Sequence, residues 1–169
     1  MFQPIRANLF TLLATLTLGA TAGAADSDLR SFTYPEKDLS GRPATLKNGR
    51  FEGDHLTVQT VMTLKGDFKK DGRTIGAAVV VLNSGGSGNF RHLCLLTRKG
   101  AQTTCSDTVF LGDRIKVTGL NTRNGEILVE YLDRDLKESF TTKPHIKRTR
   151  RFGIRNGRLT RLPRPKIGD

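Results

Sequence analysis

Residues 73–132 read RTIGAAVVVLNSGGSGNFRHLCLLTRKGAQTTCSDTVFLGDRIKVTGLNTRNGEILVEYL. Short apolar runs alternate here with tight turns, and no segment sustains a helical period. Ile75 to Leu82 is a continuous apolar run rich in β-branched residues, the pattern of a central strand buried on both faces. A glycine-rich loop, 83–89, separates it from a hairpin formed by 90–97 and 102–110. A further hairpin, 114–120 with 126–132, turns at Asn124-Gly125, a dipeptide that accepts positive φ at both positions. The stretch therefore predicts an antiparallel meander.

Working outward, residues 55–64 alternate, with Leu56, Val58, Thr60 and Met62 on one face. Asn48-Gly49 and Asn156-Gly157 signal two more tight turns, the second between strands at 145–152 and 158–162. The fold class is all-β: one antiparallel meander domain, either a sandwich or a partly closed barrel. Its expected limits are 48–162. Residues 25–47 contain Pro35, Pro43 and few apolar groups, and predict a loosely ordered N-terminal segment. Pro163 and Pro165 end regular structure, so 163–169 is expected to fray.

The first 24 residues predict a cleaved signal peptide. One Arg precedes a mild apolar run, 7–18, and Ala22 and Ala24 stand at −3 and −1 of a cleavage site. Threonines thin the run, which is short for a membrane span of about 20 apolar residues. The expected location is periplasmic or secreted, with no transmembrane segment in the mature chain. Two cysteines in an oxidising compartment tend to pair. If the 90–110 hairpin turns between Lys99 and Gly100, Cys94 faces Cys105 directly, and a structural disulfide is expected.

The formal charge is +12, and falls to +11 once Arg6 leaves with the signal. Most of it lies in 143–166, which carries ten basic residues and no acid. The hairpin arginines Arg148, Arg150, Arg151, Arg155, Arg158 and Arg161 are the candidate anion-binding residues. Anionic lipid headgroups, lipopolysaccharide or polysaccharide suit such a surface. Single-stranded nucleic acid fits less well, because Phe152 is the one aromatic among these basic groups and stacking platforms are wanted. Docking on another exported protein, through the 84–90 loop or a strand edge, is the second expectation.

Catalytic and cofactor chemistry find little purchase, and the chain reads as non-enzymatic with no cofactor. His55, His92 and His145 are scattered. Ser87 lacks the strand-to-helix context of a nucleophile elbow. Asp67 to Gly72 resembles a calcium loop, but Lys69 occupies a ligand position, so no metal is expected. Asp113, Asp133 and Asp135 stand beside Arg114 and Arg134 and read as salt-bridged turn residues.

Several motifs recur together: Gly66-Asp67 with Asp71-Gly72, Ala77 to Leu82, Gly85 to Phe90, and Phe110-Leu111-Gly112-Asp113-Arg114-Ile115. In this order the core resembles a family of uncharacterised bacterial secreted and periplasmic β-domain proteins, with a GDxxxDG…GGSGxF…FLGDR(V/I) pattern. The resemblance implies export and a compact β domain, and carries no activity.

Overall fold

The computed structural model describes residues 29–163, apart from 40 and 69. The predicted signal segment 1–24, residues 25–28 and the tail from 164 onward lie outside the described residues.

The described chain is all-β. In order, its strands are β1 (Thr33–Tyr34), β2 (Ala44–Thr45), β3 (Arg50–Glu52), β4 (Thr57–Lys65), β5 (Thr74–Asn83) and β6 (Phe90–Lys99). They continue as β7 (Gln102–Asp113), β8 (Lys116–Arg123), β9 (Glu126–Asp133), β10 (Ile146–Arg155) and β11 (Arg158–Leu162). Seven strands form one sheet in the order β2-β1-β7-β6-β5-β4-β3. Its two end strands, β2 and β3, are joined by the Asn48-Gly49 turn, so the sheet curls into a nearly closed barrel. A second sheet, β11-β10-β9-β8, packs on the barrel's outside.

Two cores follow from this arrangement. Val58, Ala78, Val80, Leu82, Cys94 and Leu96 point into the barrel. Ala77, Val79, Leu93 and Leu95 point outward against Ile127, Val129, Tyr131 and Phe152 of the second sheet. Strand β5 alternates between them and is buried on both faces, as its unbroken apolar run requires. All three Asn-Gly turns place both residues at positive φ.

Three sequence expectations are corrected. The first concerns the N-terminal segment. Leu29, Phe32, Tyr34, Ala44 and Leu46 are all buried inside the barrel, and β1 pairs in parallel with β7 through Thr33 and Thr104. Residues 29–46 are thus part of the domain rather than a loose leader. Local composition hides this, since the segment's apolar groups are spaced by turns and not by a strand period.

The second concerns β4. A bulge between Thr60 and Met62 breaks the alternation. Val58 and Thr60 stay on the barrel side, while Met62 and Leu64 cross to pack against the outer core. One extra residue reverses every side chain that follows it. Val61, the extra residue, is 40% exposed.

The third concerns the cysteines, which are not joined by a disulfide. The β6–β7 hairpin turns at Gly100-Ala101, with Lys99 opposite Gln102, and a second bulge follows beyond Leu96. Cys105 therefore faces Leu96, and Cys94 faces Thr108. The two thiols lie diagonally in the inner core, and diagonal strand neighbours are about 7–8 Å apart, beyond easy bridging. The Cys105 thiol instead donates to the Asp107 carbonyl at 3.2 Å.

Candidate functional site

The basic hairpin of β10 and β11 is placed by its apolar residues. Phe152 is fully buried and Leu159 nearly so, both against the barrel. Asp107 of β7 fastens the outer strand. One carboxylate oxygen accepts the Leu159 amide at 2.8 Å, and the other meets Lys37 Nζ at 3.2 Å. Asn156 and Gly157, at φ 49° and 76°, then close the hairpin.

This placement divides the six predicted arginines into two groups. Along β10, Arg148, Arg150 and Phe152 oppose Tyr131, Val129 and Ile127, so all three lie on the face turned to the barrel. Arg148 Nε meets Asp133 Oδ2 at 3.1 Å. Arg150 Nη1 donates to the Leu111 carbonyl at 2.7 Å, and its guanidinium sits 5.2 Å from the Tyr131 ring centre. Arg151, on the outer face, grips Glu126 with two hydrogen bonds of 2.7 and 2.8 Å. These three hold the second sheet together and to the barrel.

Arg155, Arg158 and Arg161 differ. All are exposed, and among the described residues none has a carboxylate within ion-pair distance. Arg155 lies directly opposite Arg158 across the turn. Like charges in facing positions repel, so this pair opposes the hairpin it closes. The outer face beside them is concave. A cavity of about 1190 Å³ has Leu128 and Leu162 among its lining residues, with Arg123, Lys147, Arg151 and Arg161 around them. Lys147 and Arg123 are exposed cations that the hairpin arginines alone did not suggest. The run without acids in 143–166 could have flagged Lys147. Arg123 joins only because β8 lies beside β9.

The other sequence candidates have structural duties. Asp67 accepts the amides of Asp71 and Gly72, and Asp71 accepts those of Arg73 and Thr74, which closes a plain turn. Among the described residues no cluster of three or more His, Cys, Asp or Glu side chains could hold a metal. Asp113 accepts the Asn89 amide at 2.8 Å, Asp133 meets Arg148, and Asp135 accepts the Lys137 amide at 3.0 Å. These carboxylates do not converge on a reactive pair. The glycine-rich loop is braced by the Asn83 side chain, which donates to the Gly86 and Gly88 carbonyls and accepts the Gly85 amide.

Beside this loop, Phe90 and Phe110 are 37% and 52% exposed, with ring centres 6.3 Å apart. His92 stands between Phe110 and the buried Tyr34, whose hydroxyl lies 3.1 Å from His92 Nδ1. Among the described residues no helix is long and apolar enough to cross a membrane. No family model, curated protein or solved structure matches this chain.

Proposed function

We propose that this is an exported, non-enzymatic protein that binds an anionic surface or polymer through its C-terminal hairpin. The Arg155–Arg158 pair carries the reading: two exposed cations are held face to face, and among the described residues neither has a carboxylate within ion-pair distance. Their repulsion costs stability, and an anion between them converts that cost into attraction. Lys147 and Arg123 extend the positive field across the concave outer face, and Arg161, the cross-strand partner of Phe152, adds an exposed cation at its margin. Lipid headgroups, lipopolysaccharide and polysaccharide offer repeating negative charges, and no stacking aromatic is needed.

The test passes the protein over immobilised anionic lipid, lipopolysaccharide, acidic polysaccharide and DNA while the salt is raised in steps. Retention on one surface near physiological salt is expected, with loss on combined Arg155→Glu, Arg158→Glu and Arg161→Glu substitution. Equal, weak elution from all four would overturn the reading. A protein partner is the second reading, favoured by the exposed Phe90–Phe110 pair. Capture through that pair would survive salt and fail on Phe110→Ser.

A further inference from the structure

A second cluster of cations lies away from the hairpin, where the seam between barrel and outer sheet opens. Arg91 is on β6, two residues before Leu93 and on the same outward face. Arg114 follows β7, Lys116 begins β8, Arg134 follows β9, and Lys143 lies in the loop before β10. All five line one cavity of about 430 Å³. Its volume falls within the usual range for small-molecule sites.

The walls are built rather than incidental. Arg134 is 8% exposed. Its Nη1 donates to the Thr142 carbonyl at 3.2 Å and its Nη2 to the Asp113 carbonyl at 3.2 Å, which clamps the 140–144 loop over the link between β7 and β8. Arg114 binds the glycine-rich loop, with Nε 2.9 Å from the Ser87 carbonyl and Nη2 2.7 Å from Ser87 Oγ. Both guanidinium groups flank the Phe140 ring, at 5.1 and 5.5 Å from its centre. The motifs of residues 84–90 and 110–115 are thereby tied into one frame.

Within that frame three cations keep their charge for something else. Among the described residues, Arg91, Lys116 and Lys143 make no ion pair. Arg91 makes one long hydrogen bond, to the Asn89 carbonyl at 3.4 Å. Burial pushes its guanidinium below the ordinary range, and the charge of Asp113 opposes that shift. Asp113 is already engaged by the Asn89 amide, and lies 3.9 Å from Arg114 Nε. Beside the cations stand Val61, Val117, Phe140 and Pro144, an apolar wall. Val61 reaches it because it is the extra residue of the β4 bulge.

We propose that this cavity binds a small organic phosphate monoester. The phosphate would sit among Arg91, Lys116 and Lys143, and the organic body against Val61, Val117 and Phe140. A dianion meets several cations at once, which favours phosphate over a single carboxylate. The site is independent of the hairpin, so either proposal can fail without the other.

The test measures binding of phenyl phosphate and of inorganic phosphate by calorimetry and by ligand-dependent rise in Tm. Arg91→Met keeps the aliphatic stem and breaks no ion pair among the described residues, so the unliganded protein should keep its Tm. Its affinity for phenyl phosphate should fall roughly tenfold or more, the loss of one charged hydrogen bond. Lys116→Gln, an exposed position, should weaken binding in the same direction, while Lys99→Gln at the far end of β6 should not. Phenyl phosphate should bind more tightly than inorganic phosphate. No binding of phenyl phosphate, equal affinity for the two probes, or unchanged affinity in both Arg91→Met and Lys116→Gln would overturn the proposal.

Discussion

Replacing Arg150 by Ala separates structural from ligand-facing cations. The side chain makes one short charge-assisted hydrogen bond to the Leu111 carbonyl, and its guanidinium lies over the Tyr131 ring. A hydrogen bond to a charged group contributes about 1.5–3 kcal/mol, and a partly exposed cation–π contact about 0.5–1 kcal/mol. The two share one guanidinium and are not fully additive, so a net loss of about 2–3 kcal/mol is expected. For a domain of this size that lowers Tm by roughly 6–15 °C. Urea denaturation followed by circular dichroism would measure it, with the slope m unchanged if the transition stays two-state. Binding to anionic vesicles at a temperature where the variant is folded should change little, because this arginine faces the barrel. A loss under about 0.5 kcal/mol together with abolished vesicle binding would refute the reasoning. It would mean that Arg150 is free for ligand.

Other perturbations probe the remaining joints. Asp107→Ala removes the carboxylate that accepts the Leu159 amide and meets Lys37, and should cost about 1–3 kcal/mol in denaturant titration. Phe152→Ala empties a fully buried ring position between barrel and outer sheet; about 3–5 kcal/mol is expected, and a loss below 1 kcal/mol would show that the sheet is not docked there. Gly76→Ala would put a Cβ 2.5 Å from the Leu64 carbonyl oxygen, so a loss of about 1–3 kcal/mol is expected from thermal melts. The folded protein should show no change in intact mass on reduction, and its two buried thiols should react with alkylating agents only on unfolding; a mass gain of two hydrogens would contradict the diagonal register.

The legible parts of the fold were those written in local chemistry. The Asn-Gly pairs announce turns because their backbone must reach positive φ, and all three do. Strand β5 announces its central place because no polar face interrupts it. The bulges at Val61 and beyond Leu96 left no such mark, and each shifts the side chains beyond it. The disulfide expectation failed mainly at the turn: the hairpin closes with Lys99 opposite Gln102, which sets Cys105 against Leu96, and the bulge beyond Leu96 then carries Cys94 to Thr108. The hairpin arginines were visible as a charge run, but their division was not. Arg148 and Arg151 find Asp133 and Glu126 only through strand pairing, and the Leu111 carbonyl that engages Arg150 belongs to another sheet. The second basic cavity joins residues from 61 to 144, so no sequence window contains it.

The parallel pairing of Thr33 with Thr104 joins positions far apart in the chain. The residues that complete the barrel are therefore synthesised early and must wait for β7 before they find their place. Closing so long a loop is slow, and a fold rich in distant pairings folds late relative to its local hairpins. Until then the edge of β7 and the apolar side chains of Phe32 and Tyr34 stand open to any similar strand nearby. A second copy of the chain could supply the missing strand as well as the chain's own N-terminus does. Rapid refolding at high concentration should accordingly trap exchanged dimers, and slow dilution should yield monomers.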